Sequence, residues 1–259
     1  MDLRYVRRLL MVVMAVVLAH GTAMAQATAT KQFEPTVGQA GKDVVWVPTP
    51  QALVEKMLDM AKLTPQDFHM DLGSGDGRTV ITAAKRGSRS EGIEYNPDMV
   101  ALSQKNAKEA GVGDRATFRK ADLFETDFSK ANVVTLFLLP GINMRPGTRI
   151  VSNTFTMEDW TPDQTETIGD DCVSWCTAHL WIVPAKVQGA WDVPGRGTLT
   201  LNQTFQMVAG SLGNAQVSNG KLRGDEISFT AGGTNYTGKV EGNTMQLSAG
   251  GQKLTATKK

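Results

Sequence analysis

The sequence predicts an α/β domain followed by a small all-β domain, on three observations. Between residues 43 and 161 short apolar runs alternate with stretches of helical periodicity, the signature of a sheet with crossover helices. After Trp181 the pattern changes to short alternating segments punctuated by Gly and Asn, with no helical stretch. Within that tail, residues 220–237 align without gaps on residues 238–255, an internal repeat. A chain of 259 residues has room for two such cores.

Composition narrows the function classes. With 27 Lys and Arg against 26 Asp and Glu, a net charge of +1 and a charged fraction of 20%, the chain is not a charge-rich disordered one. It is also not a strongly basic binder of nucleic acid, and no nucleic-acid partner is expected.

Residues 1–25 read as a secretory signal. Arg4, Arg7 and Arg8 precede an apolar run at 9–19, and Ala23-Met24-Ala25 is a small-residue cleavage site. The run is well short of the roughly 20 residues that span a bilayer, although an uncleaved membrane anchor through 9–19 is the alternative. Cleavage leaves a near-neutral, exported chain with no membrane attachment, periplasmic or secreted. Residues 26–42, rich in Thr, Gln and Gly, read as a flexible lead-in.

In the α/β part, Pro48-Thr49-Pro50 starts a helix, with Thr49 placed as its cap and Leu53, Val54, Met57, Leu58 and Ala61 at helical spacing. Residues 68–72 form a first strand, followed by a glycine loop and a helix at 79–86. A second strand at 92–95 ends in Asn96-Pro97 and a helix at 98–110. A third strand follows at 116–119, a doubly buried fourth at 132–139 and a fifth at 148–152. Residues 162–180 read as a polar connector, and 181–259 as the β-rich domain. In each repeat unit Gly224-Asp225 or Gly242-Asn243 marks a hairpin turn, and Ile227 and Phe229 match Met245 and Leu247 as the inward face. With Leu199, Leu201 and Phe205 this gives an antiparallel meander or barrel of six to eight strands, read equally well as a substrate-docking module or a structural appendage.

The chemistry belongs to the loops at the carboxyl ends of the strands. In D-L-G-S-G-D-G-R (71–78) the glycines permit a tight turn and close approach of backbone to a ligand. An acid at the end of the second strand, Glu94, suits two ribose hydroxyls, and Asp122 beyond the third strand suits an adenine amino group. A dinucleotide-dependent oxidoreductase would need G-x-G-x-x-G, whereas this loop runs G-x-G-x-G.

Taken with V-P-T-P (47–50), G-I-E-Y-N-P (92–97), A-D-L-F (121–124) and V-V-T-L-F-L-L-P (133–140), this stretch resembles the class I S-adenosylmethionine-dependent methyltransferases. It is most similar to a branch holding exported bacterial members and the mitochondrial lysine methyltransferases of the ATP synthase c-subunit. The resemblance implies a Rossmann-like sheet, S-adenosyl-L-methionine as cofactor and a protein lysine as acceptor. It also implies that Gly73, Gly75 and Asp71 meet the methionine moiety, Glu94 the ribose, and Asp122 with Leu123 the adenine, with Thr49 beside the cofactor. No catalytic base can be named from the sequence.

The sequence departs from this family in one place. Only residues 140–147 separate the fourth and fifth strands, where a parallel crossover takes a dozen or more and carries a helix. The helix between these strands is therefore expected to be missing. Strand four would then expose apolar surface, require a partner such as a second copy, or pair differently with strand five. A protein that binds the cofactor but turns over poorly, acting as a binding module, is the alternative function. Cys172 and Cys176 are compatible with a local disulfide or with two inert thiols. C-x3-C lacks a second ligand pair, so no metal is expected.

Overall fold

The computed structural model describes residues 33–41, 45–137, 144–169 and 172–259. The signal (1–25) and the first part of the lead-in lie outside the described residues. Among the described residues no helix is long and apolar enough to cross a membrane.

Five parallel strands, β1 (Phe68–Leu72), β2 (Arg89–Glu94), β3 (Ala116–Lys120), β4 (Val133–Leu136) and β5 (Arg149–Asn153), run in the order β3-β2-β1-β4-β5. Helix α1 (Gln51–Met60) precedes β1, α2 (Arg78–Lys85) joins β1 to β2, and α3 (Pro97–Glu109) joins β2 to β3. Each helix has a local cause. Asn96 caps α3, its side chain accepting from the Asp98 N–H at 2.9 Å, with Pro97 and acidic Asp98 in the first turn. The α1 stripe of Leu53 and Met57 packs on Val133 and Val151. Arg149 closes the far end of α1, donating to the Ala61 carbonyl at 2.8 Å and pairing with Asp67. Thr49 is not the cap of α1. Pro50 occupies that position, and the Thr49 hydroxyl accepts instead from the Asn153 amide at 3.2 Å, tying the start of α1 to the end of β5.

Residues 162–180 are not a connector. Strands β6 (Gln164–Thr167) and β7 (Thr177–Ile182) form a hairpin whose β7 pairs antiparallel with β5, completing a seven-stranded sheet. The acidic, Thr-rich composition suits an edge strand with exposed side chains, and so carries no strand signal of its own. Between β6 and β7, Cys172 and Cys176 form a disulfide with Cα atoms 5.8 Å apart, because the chain turns there.

The exposure expected of strand four is overturned. No helix is present among the described residues between β4 and β5, and 138–143 lie outside them, yet β4 is fully buried and pairs in parallel register with β5. Val133 faces α1. Val134 and Leu136 pack with Phe128, Ala131, Met144, Met157, Trp160 and Trp181. The loop after β3 and the segment after β5 thus cover the face that a crossover helix would cover, and the reason for a second copy there disappears.

The tail forms a closed eight-stranded barrel, β8 (Gly189–Val193), β9 (Gly197–Thr204), β10 (Met207–Leu212), β11 (Ala215–Arg223), β12 (Glu226–Ala231), β13 (Thr234–Glu241), β14 (Thr244–Ala249) and β15 (Gln252–Lys258), with β15 pairing back onto β8. Closure removes sheet edges, and alternating residues fill the interior. Ile227, Phe229, Met245 and Leu247 are buried as the repeat predicts. The repeat also has a packing cause. A Cβ at Gly220 would stand 2.2 Å from the Val208 carbonyl oxygen, and one at Gly238 2.3 Å from that of Gln246. Phe205, expected to face inward, instead lies in the β9–β10 turn and stacks on Trp160 with centroids 5.5 Å apart. Beside it, buried Gln206 donates to the Thr161 carbonyl at 2.8 Å, so this turn joins the barrel to the sheet.

Candidate active site

A single cleft lies over the carboxyl ends of β1, β2, β3 and β4. Thr49, Asp71, Gly73, Gly75, Glu94, Asp122 and Leu123 all line it. Seven candidate residues dispersed along the chain between positions 49 and 123 are thus collected at one edge by the parallel topology.

Asp71 ends β1. Its carboxylate accepts from the Thr135 hydroxyl of β4 at 2.6 Å, and that hydroxyl lies 2.8 Å from His69 Nε2. His69, Asp71 and Thr135 meet because alternate residues of neighbouring strands point to one face. Since the single Thr135 proton goes to Asp71, His69 donates from Nε2, and its Nδ1 is buried with no partner. Burial drives the His69 pKa down to about 3, so the ring is neutral. Burial also raises Asp71 to about 7. The Thr135 bond opposes that rise, and the neighbouring Asp76 and Glu94 carboxylates reinforce it. The cleft floor is thus an acid that burial and nearby negative charge hold close to its protonated form, and that a cationic group would ionise.

The glycine loop wraps around Glu94. The Gly75 N–H donates to one Glu94 carboxylate oxygen at 3.0 Å and the Asn96 N–H to the other at 2.9 Å. Gly75 has φ +53, and a Cβ there would sit 2.6 Å from Trp46 Nε1. Asp122 accepts from the Phe124 N–H at 3.0 Å and opens a short 3₁₀ turn, Leu123–Glu125, which turns Leu123 towards the cleft. Arg78, itself a lining residue, holds the loop, paired with Asp76 and donating to the Thr49 carbonyl at 2.9 Å.

Sequence reasoning misses Trp46 and the segment before it. Composition places residues 39–41 in a flexible lead-in, but the Gly38 N–H donates to the Trp46 carbonyl at 2.8 Å, and Gln39, Ala40 and Gly41 line the cleft. Their polar composition carries no periodic signal, so nothing in the sequence marks them. Ser74, whose buried hydroxyl has no partner, and Phe137 also line the cleft; both stand within the quoted motifs, which assign them no role.

The ANTKMT methyltransferase domain model matches residues 71–164. A protein-lysine N-methyltransferase of Saccharolobus islandicus is 37% identical over 152 residues, covering 54% of this chain and 94% of that protein. The chain belongs to the class I S-adenosylmethionine-dependent methyltransferases. The Mus musculus lysine N-methyltransferase of the ATP synthase c-subunit is 34% identical over 138 residues, and the match spans 49% of this chain but only 56% of that relative. The structure of an RNA methyltransferase from Salinibacter ruber with S-adenosyl-L-homocysteine is 46% identical, covers 54% of this chain and 96% of that one, and superposes with a TM-score of 0.49. The family match ends at residue 164, so β7 and the barrel lie beyond it.

The cofactor of this methyltransferase, S-adenosylmethionine, fits the residues present. Its α-ammonium and its sulfonium are cationic, and the buried Asp71 lies where the methionine end would be held. Its ribose would meet the Glu94 carboxylate, which the Gly75 N–H orients at the cleft edge.

Proposed function

We propose that this methyltransferase methylates a lysine side chain of a protein, in the periplasm or outside the cell. The observation that carries the reading is the single cleft uniting Asp71, the glycine loop, Glu94 and Asp122 in a chain that covers nearly the whole length of a protein-lysine methyltransferase. Asp71, Gly73 and Gly75 hold the methionine end, Glu94 the ribose, Asp122 and Leu123 the adenine, and Thr49 fixes the cleft wall through Asn153 and Arg78.

The cofactor supplies an electrophilic methyl group. The chain's own part is orientation and exclusion of water. A lysine ammonium first gives its proton to water. The neutral nitrogen then forms the N–C bond while the S–CH₃ bond breaks, its electron pair staying on sulfur. No residue need act as a nucleophile.

Two features support export. Residues 4–25 have the order of a secretory leader, and the Cys172–Cys176 disulfide suits an oxidising compartment. The binding-module reading rests on an uncovered strand four, and with that strand buried nothing favours it.

Two measurements test the proposal. Glu94→Ala should weaken binding of S-adenosylhomocysteine by about 1.5–3 kcal/mol in calorimetry, the value of hydrogen bonds to a charged group. Mass spectrometry of material from a secreting host should find Gln26 as the first residue and, after incubation with cofactor and periplasmic proteins, methyl groups on lysine. An intact Met1 in the membrane fraction, or methyl groups on another residue type, contradicts it.

A further inference from the structure

We propose that the disulfide-closed turn between Cys172 and Cys176 presents Trp175 as the outer wall of the acceptor site, where Trp175, Phe155 and Phe137 receive a cationic side-chain amine. This rests on the methyltransferase reading and names the subsite that reading requires.

Topology brings the three rings together. Phe137 directly follows β4 and lines the cofactor cleft. Phe155 lies just beyond β5. Trp175 lies just ahead of β7, which starts where β5 ends because Asn153 pairs with Ala178. The Phe137 ring is edge-on to Phe155 at 5.1 Å and to Trp175 at 5.6 Å, and Phe155 and Trp175 stack at 5.9 Å.

Stability does not explain this arrangement. Trp181 and Trp191 are completely buried, but Trp175 remains 40% exposed and Phe155 37%. Trp175 also has φ +61, a conformation that bulky residues avoid. The Cys172–Cys176 bond and the Ile168 N–H, which donates to the Cys176 carbonyl at 3.0 Å, close the turn that holds it there. An exposed aromatic ring fixed at a backbone cost is a binding surface.

Its position selects the ligand. Glu94 and Asp122 stand on the β2 and β3 side of Asp71, whereas the rings stand on the β4, β5 and β7 side. With Glu94 and Asp122 taken up by the ribose and adenine on one side, the ring side is the one left for an acceptor, which in-line displacement requires to approach the methyl group. Aromatic faces attract an ammonium within about 6 Å and pack the aliphatic stem of a lysine.

The test uses the full chain saturated with S-adenosylhomocysteine and an acetylated N,N,N-trimethyl-lysine amide as probe, followed by calorimetry or saturation-transfer NMR. The wild type should bind the probe. Trp175→Ala, the Cys172→Ser/Cys176→Ser pair and reduction by dithiothreitol should each weaken it roughly 2- to 30-fold, the range of a cation–π contact, with cofactor affinity unchanged. Trp175→Phe, which keeps an aromatic face, should recover most of the loss. If the wild type binds cofactor but not the probe, or all forms bind the probe alike, the aromatic subsite is overturned while the methyltransferase reading stands. If the wild type does not bind S-adenosylhomocysteine, that reading falls and the subsite with it.

Discussion

The sheet and the barrel bury different kinds of residue. Of the buried polar and charged side chains among the described residues, His69, Asp71, Ser74, Thr135, Ser152 and all the others but one belong to the sheet domain. The exception, Gln206, faces the sheet rather than the barrel interior. The barrel core of Trp191, Leu199, Leu222, Phe229, Met245 and their neighbours is apolar throughout, apart from a Trp191 N–H satisfied by the Val187 carbonyl at 2.8 Å and the Tyr236 hydroxyl. Buried polar groups cost stability unless paired, and the unpartnered ones among the described residues, Ser74, Ser152 and His69 Nδ1 among them, lie in the sheet domain. Among the described residues the barrel core holds no unpartnered polar side chain of this kind.

The largest effect should come from hollowing the barrel. Trp191→Ala removes a fully buried indole and should destabilise the protein by about 3–5 kcal/mol in urea unfolding. At denaturant concentrations where the variant is still folded, its affinity for S-adenosylhomocysteine should match the wild type. A loss of affinity there would mean that the barrel shapes the cleft, and the division between the two regions would break.

The next effect lies in the cleft and depends on pH. Asp71 has a folded pKa of about 7, raised from 3.8 by burial. Its contribution favours the folded, cofactor-free protein most below pH 3.8 and is lost as pH rises through about 7, over a range worth roughly 4 kcal/mol at most. Asp71→Asn should therefore stabilise the cofactor-free protein at pH 8 and change it little at pH 4. Binding should show the opposite sign. A cationic cofactor favours the ionised acid, so wild-type affinity should rise from pH 6 to pH 8 with release of a proton. A flat profile in calorimetry across buffers would show that Asp71 is ionised before the cofactor arrives.

The same contrast explains what is legible in the sequence. The barrel follows from alternation, glycine turns and a repeat, all consequences of strand periodicity. The cleft acids follow because parallel topology sends strand ends to one edge. Three things stay hidden, each for a physical reason. Trp46 and residues 39–41 reach the cleft through tertiary contact with Gly75, which no local pattern encodes. Strand β6 is an exposed edge whose polar residues obey no alternation, and it hides the hairpin to which the inner strand β7 belongs. The cover on strand four comes from Phe128, Met157 and Trp160, scattered side chains in irregular segments, so counting residues 140–147 predicts a gap that packing closes.

The smallest predicted effect decides whether the two regions unfold as one. They meet where Phe205 stacks on Trp160 with planes 3° apart, where Gln206 donates to Thr161, and where Lys221 pairs with Asp163 at 3.4 Å. Trp160 also covers strand four, so the contact links the barrel turn to the sheet core. An aromatic pair of this kind is worth about 0.5–1.5 kcal/mol beyond its area, and with Phe205 42% exposed the lower half of that range applies. Phe205→Ala leaves the left-handed backbone at φ +50 equally strained, so the change reports the ring alone. Wild-type protein should unfold in urea in one transition by tryptophan fluorescence and by far-ultraviolet circular dichroism, shifted by Phe205→Ala by under about 1 kcal/mol for both probes. Adding S-adenosylhomocysteine should move the whole transition, because a ligand stabilises everything that unfolds with its site. Two separate transitions, with only one responding to the ligand, would show that sheet and barrel are independently stable and that the aromatic contact is only a hinge between them.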